Sequence, residues 1–171
     1  MIPINIFAKA VRSHMPILWY LLKNWQSIII VIIENMNEPK IDGVVITPLK
    51  RIKNPKGDIY HAMKAYADGY AGFGEAYFST VHKDDIKGWK KHTRMTLNIV
   101  VPIGAVRFVI YDDRENSSTK DQYYNVVFSA ENYARLSVAP GLWLAFQGMG
   151  EEVNMLLNIK VYFEQMRNKN R

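Results

Sequence analysis

The chain has 171 residues, with 22 Lys and Arg against 16 Asp and Glu, a formal net charge of +6. A hydrophobic content of 49% and a charged content of 22% are globular values and exclude global disorder. The absence of cysteine removes disulfide scaffolds, thiolate metal sites and cysteine nucleophiles together.

The charge is unevenly placed along the chain. Residues 1–35 carry Lys9, Arg12 and Lys23 against Glu34, and residues 160–171 carry Lys160, Arg167, Lys169 and Arg171 against Glu164. Residues 36–159 hold 15 basic and 14 acidic side chains, so the body of the protein is close to neutral. A duplex-binding domain carries its charge on the folded face that meets phosphate, and no nucleic-acid partner is expected here. The chain divides into an apolar extension (1–35), a folded domain (36–159) and a basic tail (160–171).

In the extension, residues 15–33 (MPILWYLLKNWQSIIIVII) read as an apolar helix interrupted by Lys23, Asn24, Gln26 and Ser27. About 20 apolar residues span a bilayer, and no small-residue cleavage site follows the run as it does in a signal peptide. Met36 offers an alternative start. Three readings stay open: a dispensable stretch upstream of Met36, a membrane-associated helix, or an ordinary packed helix. Membrane contact is expected through residues 15–33 alone, and the domain is expected in the cytoplasm.

From residue 41 onward the pattern is β. Residues 44–46 (VVI) form a short apolar run ended by Pro48, and 74–80 (GEAYFST) carries aromatics at strand spacing. Residues 96–101 (TLNIVV) and 105–111 (AVRFVIY) flank Pro102-Ile103-Gly104, which predicts a hairpin. Runs at 123–128, 136–138, 142–147 and 155–159 follow, separated by turn clusters at 112–119, 139–141 and 148–152. Residues 130–135 read as a helical turn with Ser129 as its N-cap. Short, evenly spaced strands of this kind predict an all-β sandwich, jelly roll or barrel.

Four histidines are candidates for chemistry: His14 in the extension, and His61, His82 and His92 in the body. His82 sits beside Lys83, Asp84 and Asp85, in what reads as a loop tip. His92 lies in 88–94 (GWKKHTR), where strand alternation sends Lys90, His92 and Arg94 to one face and Trp89, Lys91 and Thr93 to the other. Two flanking cations lower the pKa of an imidazole and keep it neutral near pH 7, the state a general base needs. The alternative is a solvated basic turn. No metal is expected, because Arg94 beside His92 donates only and stays charged. Asp112-Asp113 with Asn116 lacks the spacing of a calcium loop, and no P-loop or Gly-x-Ser-x-Gly occurs.

Several segments, in this order and spacing, resemble the dTDP-4-dehydrorhamnose 3,5-epimerase family. They are Gly88-Trp89 with His92, Asp112-Asp113-Arg114, Asn116-Ser117-Ser118-Thr119, Ser129-Ala130-Glu131-Asn132 and Pro140-Gly141. The similarity spans about residues 41–159, and Lys56-Gly57 followed by Tyr60-His61 falls where the family has an Arg-Gly turn. The resemblance implies a cupin-type jelly-roll barrel, a homodimer, and a cofactor-free epimerase acting on a nucleotide-linked 4-keto sugar in deoxysugar or cell-surface polysaccharide biosynthesis. His92 matches the family's base. Lys90 or Arg94 is assigned to steady the enolate or the diphosphate, with His61, Trp89 and Arg114 as further substrate-binding residues. The departures are several. The family's Arg is Trp89, its upstream Gln and Asn are Tyr77 and Ser79, and its second His falls near Leu144. Its acidic Tyr falls at Met155 or Leu156, and the Asp that pairs with the base falls near Lys160. Tyr77 is the candidate replacement acid, against the alternative of an aromatic in a sheet core. A related ketoisomerase and a non-catalytic sugar-nucleotide-binding relative are the competing readings.

Overall fold

A computed structural model describes residues 41–67, 70 and 72–162; the 15–33 run, His14 and the tail beyond 162 lie outside them. Every regular element described is a strand. The order is β1 (Val44–Pro48), β2 (Arg51–Ile52), β3 (Ile59–Tyr60), β4 (Glu75–Val81), β5 (Ile86–Lys91), β6 (Met95–Ile103), β7 (Ala105–Tyr111), β8 (Tyr123–Ser129), β9 (Ala134–Val138), β10 (Trp143–Gly148) and β11 (Asn154–Tyr162). They form a five-stranded sheet β1-β9-β6-β11-β4, a four-stranded sheet β5-β10-β7-β8 and a β2-β3 ribbon. All pairings between named strands are antiparallel. This is the all-β, cupin-type jelly roll expected from the sequence. Among the described residues no helix is long and apolar enough to cross a membrane.

The core lies between the two large sheets. Alternation along β7 sends Val106, Phe108 and Ile110 inward, each fully buried. They meet Leu97, Ile99 and Val101 of β6, Leu136 and Val138 of β9, and Leu156 of β11 in one apolar cluster. Each such side chain contributes about 1.5–3 kcal/mol on leaving water. The Phe108 ring lies 6.1 Å from both Phe128 and Phe146, so β7, β8 and β10 share one aromatic centre.

Two sequence expectations are corrected. Residues 96–111 do not form a hairpin: β6 pairs with β9 and β11, whereas β7 pairs with β8 and β10, in the other sheet. The Pro102-Ile103-Gly104 segment is a corner at which the chain changes sheets. Gly104 has φ +76°, and a Cβ there would fall 2.5 Å from the Val153 carbonyl oxygen. Both strands are rich in buried residues, so each gains more from two neighbours within a sheet than from pairing with the other. Residues 130–135 are not a helical turn either. A tight turn at 130–132 leads straight into β9, fixed by side chains that bind local backbone. The Ser129 N–H donates to Asn132 Oδ1 (2.8 Å), and Asn132 Nδ2 donates to the Val127 carbonyl (2.6 Å). Ala134 and Arg135 are buried between β1 and β6, a demand that outweighs the weak local helix signal.

Candidate active site

The strand leading to His92 is irregular in a way that matters. Pairing of β5 with β10 runs Lys91 to Trp143 and Lys90 to Leu144, then Lys87 to Phe146, so the register shifts by one residue opposite Ala145. Gly88 and Trp89 together face that single residue, a β-bulge. Gly88 permits it, because a Cβ at that position would sit 2.7 Å from the Ala145 Cα. The extra residue flips the alternation, so Lys87 and Lys90, three positions apart, line one cleft with His92. The opposite wall is Tyr77 and Ser79 of β4 with Asn158 of β11, and Leu97, Leu144 and Phe146 form the floor. The cleft holds about 120 Å³. Its mouth is bridged where Lys87 Nζ donates to the Thr80 carbonyl of β4 (2.5 Å).

His92 follows β5 directly and is half-buried. Its backbone is clamped, since the Gly141 N–H donates to the His92 carbonyl at 2.7 Å. The preceding residue is anchored too: Lys91 Nζ donates to Asp113 Oδ1 (2.5 Å), while Trp143 Nε1 donates to Asp113 Oδ2 (2.8 Å). Burial pushes the imidazole pKa below its ordinary value, and the positive charges of Lys160 and Lys90 push it further down. A neutral imidazole at neutral pH can accept a proton.

Lys160 enters this picture because β11 runs three residues past the boundary at 159. Along β11 the residues facing inward are Asn154, Leu156, Asn158 and Lys160, with Asn158 opposite Tyr77 and Lys160 opposite Glu75. Lys160 Nζ donates to Glu75 Oε2 at 3.1 Å and lies 4.5 Å from the centroid of the Tyr77 ring. Burial lowers the pKa of this ammonium, but hydrogen bonding to Glu75 and to Tyr77 outweighs it and leaves a net rise.

The structure thus brings together His92, Lys90 and Tyr77, and adds Lys87, Asn158 and Lys160, which sequence reasoning missed. A glycine inside a strand pattern is the known sign of a bulge, and Gly88 could have revealed Lys87. Continuing the period-2 alternation of 154–158 by one step reaches Lys160. The remaining candidates lie elsewhere. Trp89 is half exposed and Arg94 is exposed, and neither lines the cleft. The pair of cations flanking the imidazole is therefore Lys90 with Lys160, not Lys90 with Arg94, because the bulge and the end of β5 break the simple alternation. His61 lines a separate hollow of about 220 Å³ with Lys50, Lys64 and Arg135.

Arg114 is a framework residue. Asp112 is fully buried and accepts from the Arg114 backbone N–H, Nε and Nη2, and from the hydroxyls of Ser117 and Thr119. The aliphatic stem of Arg114 lies against Gly141, where a Cβ would fall 3.0 Å from Arg114 Cδ, so this knot braces the turn that clamps His92. Leu144, near which the resemblance puts the family's second His, is buried, as is Leu156, one of the two positions, with Met155, at which its Tyr falls. Among the described residues no group of three His, Asp or Glu side chains could hold a metal ion.

No family model matches the chain. It is 30% identical to a dTDP sugar isomerase from Desulfovibrio desulfuricans, over 70% of this chain and 77% of that one, with a TM-score of 0.69. It is 25% identical over 122 residues to the probable low-salt glycan biosynthesis epimerase of Haloferax volcanii, covering 70% of this chain and 78% of that protein. The dTDP-6-deoxy-D-glucose-3,5-epimerase of Legionella pneumophila, in complex with dTDP-4-keto-L-rhamnose, shares the fold at a TM-score of 0.65 and 21% identity, over 74% of this chain and 70% of its own. The ordered motifs, the jelly roll and the Desulfovibrio relative agree: the chain is an isomerase that belongs, as a divergent member, to the dTDP-4-dehydrorhamnose 3,5-epimerase family of cupin-type sugar-nucleotide epimerases.

Proposed function

We propose that this isomerase is a cofactor-independent epimerase of a nucleotide-linked 4-keto sugar, with His92 as the base. The observation that carries the reading is a half-buried imidazole, held neutral by burial and two lysines, in a cleft shared with a tyrosine. A C–H bond next to a ketone is acidic once the resulting enolate is stabilised. His92 takes the proton, the bonding electrons move onto the carbonyl oxygen, and the Lys90 ammonium faces the negative charge. Tyr77, across the cleft, returns a proton from its hydroxyl to the other face of the same carbon, inverting it. Solvent then resets both side chains. The cleft of about 120 Å³ is smaller than the ~300–1,000 Å³ of a complete ligand pocket, so it receives the reacting edge of the sugar while the nucleotide lies outside it. The Legionella structure with dTDP-4-keto-L-rhamnose supports a dTDP-linked keto sugar as the substrate class. The working form in this reading is a cytoplasmic homodimer.

The test is solvent exchange. A dTDP-linked 4-keto-6-deoxy hexose incubated with the protein in D₂O gains deuterium at C3 or C5, read by proton NMR. His92→Ala lowers that rate by about 10²–10⁴-fold, the usual worth of a positioned general base. No incorporation by the native protein, or an unchanged rate in the variant, overturns the assignment. One observation favours a second reading: neither Met155 nor Leu156, where the family's acid falls, can give up a proton, and Leu156 is fully buried. If Tyr77 does not substitute for it, His92 alone could shuttle the proton along one face and move the carbonyl. The same spectra distinguish this ketoisomerase from an epimerase.

A further inference from the structure

Among the described residues, the cleft around His92 takes charged or titratable groups from three strands: Lys87 and Lys90 of β5, Tyr77 of β4, and Lys160 of β11 with its partner Glu75 of β4. The other strands at the cleft, β6 and β10, contribute only Leu97, Leu144 and Phe146. Among the lysines, Lys160 is set apart by how firmly it is held. Its side chain is only 16% exposed, it is paired with Glu75, and it rests on the face of the Tyr77 ring. Lys87 and Lys90 are exposed. An ammonium has three donors and no acceptor, so in its contact with Tyr77 the phenol can only receive. The hydroxyl proton is left free to be given to something else in the cleft.

We propose that Lys160 is a positioning residue of the active cleft: its ammonium, anchored by Glu75, holds the Tyr77 ring and leaves its hydroxyl as a proton donor, while placing a fixed positive charge beside the His92 imidazole. This rests on the epimerase reading above and deepens it. One side chain then prepares both partners of the proton transfer: it keeps the base unprotonated and directs the acid. It also gives a working arrangement to a chain whose usual acid position falls at Met155 or Leu156 and whose base-pairing aspartate position falls near Lys160. Cation–π contact over a tyrosine face is worth more when shielded from water; here the Lys160 side shields the contact, while Tyr77 is 37% exposed.

Two measurements on the full chain test this. The first needs no substrate: NMR titration of the His92 ring in the native protein, in Lys160→Met and in Lys160→Arg, with His92→Asn identifying the signal. Lys160→Met raises the His92 midpoint, and Lys160→Arg, which keeps the charge, leaves it near the native value. An unchanged midpoint in a folded Lys160→Met protein, or an equal rise in both variants, overturns the proposal. Lys160→Gln replaces Lys160→Met if the latter does not fold. The second measurement uses deuterium exchange into a dTDP-linked 4-keto-6-deoxy hexose. Lys160→Met slows exchange by about tenfold or more and moves its acid limb to higher pH, as expected when a general base loses its tuning. In a Tyr77→Phe background Lys160→Met costs less than it does alone, because groups acting as one unit are not additive. Multiplying losses overturn the role through Tyr77. If the native protein exchanges no deuterium at all, the epimerase reading fails, and the titration alone still decides whether Lys160 governs His92.

Discussion

Replacing Asp112 by Asn should destabilise the protein severely although the change is nearly isosteric. The carboxylate is fully buried and accepts five hydrogen bonds: Oδ1 from Arg114 N (3.0 Å) and Nε (2.8 Å), and Oδ2 from Arg114 Nη2 (2.8 Å), Ser117 Oγ (2.5 Å) and Thr119 Oγ1 (2.7 Å). An amide nitrogen placed at Oδ1 meets two donors. Placed at Oδ2, it meets a guanidinium nitrogen that cannot accept, and only the hydroxyls can turn to suit it. Either orientation loses at least one charge-assisted bond and leaves a guanidinium edge without its counter-charge. Breaking a buried pair in this way costs about 3–5 kcal/mol. Arg114 keeps 26% of its side chain in water, which sets the loss at the lower end of that range, about 3 kcal/mol. For a protein of this size that is a fall in Tm of roughly 6–12 °C.

The pH dependence sharpens the test. Hydrogen bonding from Arg114 holds the Asp112 carboxyl far below the usual carboxylate range, against the opposing effect of burial, and the Ser117 and Thr119 hydroxyls add to the shift. A carboxyl depressed in the folded state contributes stability that is fully present above its unfolded value, near 3.9, and is lost as pH falls below it. Urea unfolding of the native protein should therefore weaken steeply on going from about pH 5 to pH 2, and that of Asp112→Asn distinctly less so. A variant that melts within about 2 °C of native at pH 7, or that has the same acid slope, would refute the reasoning.

Other outcomes follow from the same geometry. Gly88→Ala places a Cβ 2.7 Å from the Ala145 backbone and should cost about 1–3 kcal/mol through overpacking, while flattening the bulge; an unchanged urea midpoint counts against the bulge as described. Asn154→Ala orphans the Ala105 and Gly150 N–H groups, which Asn154 Oδ1 accepts at 3.0 and 2.8 Å. At about 1–3 kcal/mol for each unsatisfied part-buried donor, thermal melting should report a loss of roughly 2–6 kcal/mol, toward the lower end for partial burial. His92 is depressed in the folded protein, so its neutral form persists below the ordinary value near 6.5. The acid limb of deuterium exchange should accordingly lie below pH 6.5, and the stability tied to His92 should be lost only as pH falls through that region. A limb above it would mean that the base is another group.

How much of this was legible beforehand depended on the range of the interaction concerned. β7 was readable to the residue, because its alternation and its bounding turns are local. The partner of β7 was not, since pairing with β8 and β10 rather than β6 is decided by where buried faces can meet, and no local signal records that. His92 was found through its neighbours in sequence. The cations that act on it were only half found, because a bulge shifts Lys87 into the cleft and a strand more than sixty residues away brings Lys160. The resemblance assigns Arg114 to substrate binding, and the structure shows its guanidinium bonded to Asp112. Its motif is as compact in sequence as a binding site, and only the buried Asp112 distinguishes a brace from a ligand.

The exchange of an aspartate for a lysine beside the base need not abolish the proposed reaction, for an electrostatic reason. Proton abstraction creates two charges together, an imidazolium at His92 and an enolate on the sugar. An anion near His92 favours the first charge and opposes the second, whereas a cation does the reverse. When the neighbouring charge lies at comparable distances from both, its effects on the ion pair largely cancel, because Coulomb energies of opposite sign scale alike with distance. What changes is the balance. With Lys90 and Lys160 both near the imidazole, His92 is a weaker base, and the enolate, together with any diphosphate outside, is better held. Such a cleft, with a weaker base, suits substrates whose α-protons are already acidic, and it makes the enolate side, where Lys87 and Lys90 line the wall, the place where further substitutions should change the rate most.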